Sequence, residues 1–231
     1  MENRPVALTP RLEAAYELLT GCSTVADIGC DHGKLICALL QTGAVRRGIA
    51  VDVSAPSLKK AEALAARTGV LDRLSLRVGD GFSALTPGEA DAAALLGMGG
   101  TLMAQLLDAC ATPFCGAKRV VFQPMRAAED IRAWLYAHNC RIEYDGLVRE
   151  RGRLYQLFAA LPPGSGAGPL PKGWPEGYFA LGYTAFANRD PLLQELALEK
   201  LGRAHKRLNN APHAATLQRE AAALTAILAG F

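Results

Sequence analysis

Long apolar runs are missing from this chain of 231 residues. No run approaches the ~18 consecutive apolar residues that a membrane-spanning helix needs. Met1–Thr9 has no apolar core of the kind that a signal peptide carries. We therefore expect a soluble protein of the cytoplasm with no membrane association. Hydrophobic residues make up 50% of the chain, enough to fill one domain of ordinary size with an appendage.

Closely spaced metal ligands are missing as well. The six cysteines include no Cys-x-x-Cys pair, and the four histidines are scattered. This pattern disfavours zinc sites and disulfides, and it favours buried free thiols. The chain also has neither the Gly-x-Gly-x-x-Gly of NAD-binding domains nor the Gly-x-x-x-x-Gly-Lys-Ser/Thr of P-loop ATPases. We therefore expect no metal, and both of these nucleotide-binding classes are disfavoured.

Positive charge is modest, with a formal net charge of +3. It is concentrated in two short segments: Arg149, Arg151 and Arg153 in one, and Lys200, Arg203, Lys206 and Arg207 in the other. Such clusters are usually solvated faces, so charge alone leaves a nucleic-acid partner open.

Short apolar runs alternate with helical periodicity from Leu12 to about Leu161. This alternation predicts a doubly wound, mostly parallel sheet with helices on both faces, which is a Rossmann-like α/β fold. The predicted strands are 25–28, 48–53, 74–78, 91–96 and 120–122, and the predicted helices are 11–19, 34–41, 55–67, 101–111 and 127–139. Two further strands, 141–147 and 154–160, are predicted to form a hairpin at the sheet edge.

The pattern changes after Leu161, where proline and glycine dominate. We predict a ligand-binding domain over 1–161, a linker over 162–175 and an antiparallel helical hairpin over 176–231. The hairpin is indicated by apolar residues spaced three and four apart: Leu193, Ala197, Leu201, Ala204 and Leu208, then Leu217, Ala221, Leu224 and Leu228. Because this apolar stripe is narrow, we expect the hairpin to rely on a neighbour for part of its stability.

Four segments are predicted at the carboxyl ends of consecutive strands, where open α/β sheets bind ligands. They are Asp27-Ile-Gly-Cys-Asp-His-Gly33, Asp52, Gly79-Asp80-Gly81 and Gly97-Met-Gly-Gly100. An acid at position 52 is suited to bind ribose hydroxyls, and an acid at position 80 can accept from an adenine amino group. Each segment alone could be ordinary turn chemistry. The four together indicate one nucleoside-binding crevice.

The first of these loops has an unusual centre. Asp31 and His32 stand where such loops usually carry glycine, so a loop that holds a cofactor also offers chemistry. The alternative for Asp31 is an N-cap of the following helix. The alternative for His32 is an ordinary loop hydrogen bond.

These motifs, together with Gln123-Pro124 in the same order and spacing, resemble the bacterial tRNA (adenine-22, N1)-methyltransferase family. That family consists of class I S-adenosylmethionine-dependent methyltransferases with a C-terminal coiled-coil hairpin. The resemblance runs from Arg11 through the hairpin. It implies methyl transfer to N1 of adenine 22 in tRNA, with S-adenosylhomocysteine as the product, and a seventh, antiparallel strand.

The resemblance also implies roles for individual residues. It implies that the cofactor is bound by Asp27, Gly29, Gly33, Asp52, Val53, Asp80, Gly81, Gly97 and Met98. It implies that the catalytic candidates Asp31 and His32 face the reacting base. Candidates for substrate binding are Gly99, Gly100, Gln123 and Pro124 in the cleft, with Lys200, Arg203, Lys206 and Arg207 on RNA phosphates.

The chain departs from the family pattern at two positions. Lys34 stands where an aromatic residue is usual, and Met125 stands where asparagine is usual after Gln-Pro. The alternatives left open are a methyltransferase acting on another RNA, a small molecule or a protein, and a non-catalytic cofactor-binding module. The hairpin could instead serve dimerisation or protein docking. The oligomeric state stays open, with a monomer favoured.

Overall fold

The computed structural model describes residues 5–110, 112–165 and 180–230, and a seven-stranded sheet organises most of them. The strands are β1 (Thr24–Ile28), β2 (Arg47–Asp52), β3 (Leu74–Val78), β4 (Ala92–Leu96), β5 (Arg119–Gln123), β6 (Arg141–Glu150) and β7 (Arg153–Leu161). The helices are α1 (Pro10–Leu19), α2 (Lys34–Thr42), α3 (Ala55–Arg67), α4 (Gly100–Asp108), α5 (Ala128–Ala137), α6 (Tyr183–Ala187), α7 (Pro191–Asn210) and α8 (Ala215–Leu228).

The strand order is β3-β2-β1-β4-β5-β7-β6. Strands β1 to β5 pair in parallel, and β7 pairs antiparallel with both β5 and β6. The predicted Rossmann-like, mostly parallel fold with one antiparallel strand is therefore confirmed. The strand order reverses between β1 and β4, so a crevice for a ligand is expected at their carboxyl ends.

Each face of the sheet is covered by its own apolar core. Val25 of β1 packs into a core with α1, α2 and α3, while its neighbour Ala26 packs into a core with α4 and α5. Because both faces are buried, the central strands need continuous apolar sequence rather than alternation. That is why the short apolar runs predict these strands well.

The edge hairpin is longer than predicted, because β6 continues to Glu150 and β7 begins at Arg153. The turn residues Arg151 and Gly152 both have positive φ, 50° and 75°. That conformation suits a two-residue turn between twisted strands. The charged residues Arg149 and Glu150, which predict a loop, are part of β6 and pair with β7. Their side chains form ion pairs elsewhere in the fold, Arg149 with Glu195 and Glu150 with Arg11.

Helices α7 and α8 confirm the predicted helical pair, and part of the predicted apolar stripe is corrected. Leu196 and Ile227 are buried, whereas Leu201, Leu208 and Leu228 are only partly buried. The pair also packs against the unpredicted helix α6 and against Leu147 and Leu154 of the edge hairpin. The expected reliance on a neighbour is therefore confirmed. Residues 166–175 of the predicted linker and 176–179 of the predicted hairpin segment lie outside the described residues, and the domain boundaries stay a prediction.

All six cysteines are free thiols, and Cys30, Cys37, Cys115 and Cys140 are buried. Within the described ranges, no helix has the length and apolar character needed to cross a membrane.

Candidate active site

The loop from β1 to α2 passes close to two neighbouring elements. The backbone N–H groups of Gly29 and Cys30 both donate to the carbonyl oxygen of Val51, at 2.8 and 3.1 Å. Gly33 begins α2 with a left-handed φ of 65°. A Cβ atom at Gly33 would lie 2.7 Å from the Cβ of Ala61 on α3. Glycine is therefore needed here for the loop to pack against α3.

The loop also orients Asp52 at the end of β2. The backbone N–H of Asp31 donates to Oδ2 of Asp52 at 3.0 Å, and the N–H of Ser54 donates to Oδ1 at 2.8 Å. Both carboxylate oxygens are thus held by backbone, in the position expected for an acid that binds ribose hydroxyls.

Asp31 does not cap α2. The N-cap is Gly33, which has no side-chain cap hydrogen bond, and the Asp31 side chain is 72% exposed. Its Oδ1 lies 3.4 Å from Nε2 of His32, which in turn lies 3.2 Å from Nζ of Lys60. Asp31 also has a positive φ of 48°, a conformation that aspartate and asparagine tolerate better than most residues. The carboxylate is therefore presented to solvent rather than consumed by the fold.

Asp27 at the end of β1 is a buried carboxyl group. Burial, together with the nearby charge of Asp52, raises the pKa of Asp27 to about 7, while a hydrogen bond from the backbone N–H of Ile36 works in the opposite direction. Asp27 lines a cavity of about 290 Å³ together with the loop from β1 to α2. A buried acid on a cavity wall is suited to receive a cationic group of a ligand.

Arg11, which sequence reasoning left without a role, also lines this cavity. The guanidinium of Arg11 donates to both carboxylate oxygens of Glu150, from Nε at 3.1 Å and from Nη2 at 3.2 Å, and stacks 4.3 Å above the ring of Tyr155. These hydrogen bonds hold the pKa of Glu150 at about 2. Since Arg11 and Glu150 lie 139 positions apart, no local signal could have predicted the pair.

Gln123 is only 2% exposed, and its side-chain amide is bonded within the protein. Its Oε1 accepts from Nη1 of Arg11 at 3.1 Å, and its Nε2 donates to the carbonyl oxygen of Pro124 at 3.1 Å. Pro124 itself is buried. Met125 is 47% exposed. Gln123 lines the cavity that contains Asp27, whereas the exposed Met125 lines a neighbouring cavity.

The ends of β2 and β3 expose large apolar side chains beside carboxylates. Val53 is 70% exposed and Val78 is 65% exposed. The N–H of Gly79 donates to the carbonyl oxygen of Asp52 at 3.1 Å. The exposed Asp80 and the buried Gly81 follow directly. Two uncovered valines beside Asp52 fit an adenine ring, which would cover them.

The glycine-rich loop after β4 packs against the loop between β5 and α5. Gly97 is exposed and donates to the carbonyl oxygen of Gln123 at 3.0 Å, while Met98 and Gly99 are partly buried. A Cβ atom at Gly100 would lie 1.9 Å from the carbonyl oxygen of Ala127. Packing alone therefore requires glycine at position 100.

A second cavity of about 770 Å³ separates the helical pair from the edge hairpin and the loop between β5 and α5; we call it the hairpin groove. Arg126, Arg153, Lys200 and Arg203 line it together with Glu129 and Glu199. Burial is the largest of several influences on the pKa of Lys200, and it lowers that pKa. Arg203 pairs with Glu199 at 2.9 Å. Lys206 and Arg207 are exposed on α7 outside this groove.

Within the described residues, no cluster of three or more histidine, cysteine, aspartate and glutamate side chains is arranged to hold a metal. The sheet reversal, the oriented Asp52 and the exposed valines are the features expected of an α/β domain that binds a nucleoside.

Comparison with known proteins identifies the family. Residues 8–158 match the family model described as a methyltransferase domain, and the chain belongs to that family. The chain is 31% identical over 153 residues, 66% of its length, to tRNA (adenine(22)-N(1))-methyltransferase of Bacillus subtilis (strain 168). The family resemblance of the motifs is thereby confirmed. The chain spans 64% and 61% of the lengths of the curated relatives it matches.

Solved structures share the fold across nearly the whole chain. A Streptococcus pneumoniae protein in complex with S-adenosyl-L-methionine has a TM-score of 0.83 at 20% identity, covering 96% of this chain and 100% of that one. M. capricolum TrmK in complex with S-adenosyl-homocysteine has a TM-score of 0.82 at 20% identity, covering 95% and 96%. At this identity the likeness concerns the fold, including the helical pair.

Proposed function

We propose that this chain is an S-adenosylmethionine-dependent methyltransferase that modifies N1 of adenine 22 in tRNA, in the cytoplasm and without a metal. The proposal rests on the arrangement of three acids at the sheet reversal. Asp27 is buried, Asp52 is oriented by backbone N–H groups, and Asp31 is exposed in the loop from β1 to α2. The name of the Bacillus subtilis relative supports the tRNA substrate.

The residues present fit the proposed cofactor. Asp27 faces the cationic methionine end, Asp52 binds the ribose hydroxyls, and the uncovered Val53 and Val78 flank the adenine. Asp80 accepts from the adenine amino group, and Gly29, Gly33, Gly81, Gly97 and Met98 contribute backbone and close contact. When bound, S-adenosylmethionine supplies a methyl group on a positively charged sulfur.

The chain's own task is then alignment and charge stabilisation. N1 of adenine carries a free lone pair, so no residue has to remove a proton before attack. Because N1 lies inside a base pair in duplex RNA, the base must first be exposed. Methylation leaves a cationic base, and the exposed Asp31 stabilises that charge and accepts the proton from N6. His32, 3.4 Å away, positions this carboxylate. We assign Gly99, Gly100, Gln123 and Pro124 to the wall of the cleft, with Met125 packing on the base.

The decisive experiment is methyl incorporation into tRNA with mapping of the modified position, comparing the wild-type protein with Asp31→Asn. The wild type is expected to form 1-methyladenosine at position 22. The variant is expected to lose about 30-fold in kcat, less than for a fully buried group because solvent screens Asp31. Asparagine retains the tolerance for positive φ.

Cofactor affinity, measured by calorimetry, serves as the control and should stay within twofold. Near-normal turnover of the variant would remove Asp31 from the mechanism, and an unmodified adenine 22 would refute the function.

We further propose that the segment 176–231 contacts the tRNA through the basic residues of α7, while 1–161 binds the cofactor and the target base. The hairpin groove supports this division, because Lys200 and Arg203 line it together with Met125. Lys206 and Arg207 extend the basic face along the helix.

Alanine at both Lys200 and Arg203 is expected to weaken tRNA binding about tenfold and to reduce its salt dependence, since phosphate contacts release counterions. The matched control removes Arg46 and Lys118, two exposed cations that directly precede β2 and β5, at the amino ends of these strands. Filter binding over a salt series measures both quantities. Equal behaviour of the two double variants would contradict the assignment of α7 to the tRNA.

A further inference from the structure

A third cavity, of about 600 Å³, lies between α3, the start of α2 and the segment Pro5–Ala7; we call it the α3 groove. Four of its lining residues are basic: His32, Lys34, Lys60 and Arg67. Among the residues that the structure describes, no aspartate or glutamate lines it. The α3 groove is therefore the most one-sidedly basic of these cavities, since the hairpin groove also contains Glu129 and Glu199.

The cations of the α3 groove are not neutralised by the fold. Arg11, Arg77 and Arg132 each form an ion pair with a carboxylate. By contrast, Lys34, Lys60 and Arg67 form no ion pair with any residue in the part of the chain that the structure describes. Positive side chains gathered around one cavity repel one another unless an anion joins them.

The spacing of the cations favours an extended anion over a single ion. Lys60 and Arg67 lie seven residues apart on α3 and therefore share one helix face two turns apart, a span of about 10 Å. Lys34 reaches the same cavity from the first turn of α2. A sugar–phosphate backbone can follow such a row of charges, whereas one small anion cannot contact all of it.

The α3 groove adjoins the candidate active site. His32 and Lys34 line both the α3 groove and the cavity that contains Asp27 and Asp31. We propose that the α3 groove binds the RNA backbone phosphates next to the nucleotide that is methylated; this inference rests on the proposed function. Phosphates held here would keep the target nucleotide at the rim where Asp31 is exposed, because backbone contacts fix register and orientation.

The test removes two cations that lie outside the cofactor cavity, Lys60→Ala with Arg67→Ala. The matched control, Lys59→Ala with Arg46→Ala, removes the same net charge; Lys59 is exposed on the same helix but does not line the α3 groove, and Arg46 is exposed outside it. Lys34 stays in place because it also lines the cofactor cavity. The full chain, bulk tRNA and S-adenosylmethionine are used throughout.

We expect the Lys60/Arg67 variant to bind tRNA about tenfold more weakly and to lose about 2 from the slope of log affinity against log salt concentration. Its KM for tRNA should rise, while kcat at saturating tRNA and the affinity for S-adenosylmethionine stay within twofold. The control should stay within twofold in every measurement. Together these results would support a phosphate site in the α3 groove.

Three outcomes would overturn the inference. The Lys60/Arg67 variant could match the control in affinity and slope, or both variants could lose affinity equally, which would indicate a general charge effect. A loss of cofactor binding would show that the substitutions act on the fold or on the cofactor cavity. These failures are distinct from failure of the proposed function, in which the wild-type protein itself binds and methylates no tRNA.

Discussion

Asparagine in place of Asp27 is expected to weaken the binding of S-adenosylmethionine about 100-fold at pH 8. The substitution keeps the shape of the side chain but removes the negative charge opposite the cationic end of the cofactor. Removing one partner of a buried charge pair typically costs about 2–5 kcal/mol, and a 100-fold loss corresponds to about 2.7 kcal/mol. Titration calorimetry measures the affinity directly. A matched control is Asp72→Asn, which changes an exposed carboxylate that does not line the cofactor cavity.

The same substitution is expected to change the pH dependence of binding. Because the pKa of Asp27 is raised to about 7 in the free protein, the carboxyl group is neutral below that pH, and a cationic ligand binds its ionised form. Wild-type affinity should therefore fall about tenfold between pH 8 and pH 6 through this group. Binding near pH 6.5 should release a proton, seen as a buffer-dependent enthalpy. Asp27→Asn should lack both effects, apart from the titration of the cofactor's own amino group. A variant with wild-type affinity and pH dependence would exclude Asp27 from the site.

Methionine in place of Arg132 is expected to lower the free energy of unfolding by about 3–5 kcal/mol, because it leaves a buried charge without a partner. Arg132 on α5 donates to both oxygens of Asp145, at 3.0 and 2.7 Å, and both side chains are 2% exposed. The same guanidinium donates to Gln156 at 2.7 Å. Asp145 also packs against the backbone at Gly182, where a Cβ atom would lie 2.0 Å from Oδ2, so the damage should extend to α6.

Urea denaturation of three variants separates charge from packing. Arg132→Met with Asp145→Asn should recover about 2 kcal/mol relative to Arg132→Met alone, since the stranded charge is gone. Arg77→Met breaks the half-exposed pair with Glu89 and should cost only about 1 kcal/mol. Burial already raises the pKa of Asp145. In Arg132→Met, Asp145 is therefore expected to be protonated in the folded state and ionised in the unfolded state near neutral pH. The loss in free energy of unfolding should then become smaller as the pH falls towards 4. A cost equal to that of Arg77→Met would contradict the role given to burial.

Most of the sheet could be predicted from the sequence because its central strands are buried on both faces. β3 has the predicted bounds of 74–78 and α3 those of 55–67, where apolar content and helical spacing are decided locally. The edge hairpin was predicted too short, since Arg149 and Glu150 look like loop residues until their partners are known. α6 was missed because its five residues are too few to display a period.

The candidate site was only partly predictable for the same reason. Acids at or just after the carboxyl ends of strands, such as Asp27, Asp52 and Asp80, could be found because their position in the strand pattern is visible in the sequence. Arg11, Glu150 and Tyr155 could not, because they meet only in the folded chain. Gln123 has the motif of a substrate-contacting residue, yet its amide is already bonded to Arg11 and Pro124. The assignment of this loop to the substrate stays a prediction; in the structure Gln123 lines the cofactor cavity and Met125 is the exposed side chain.

Two consecutive residues of β6 hold different parts of the molecule. Arg149 bonds to Glu195 of α7 at 2.9 Å, and Glu150 bonds to Arg11 at the cofactor cavity. Successive side chains of a strand point to opposite sides. The edge hairpin therefore joins the helical pair, through Arg149, to the wall of the cofactor cavity, through Glu150.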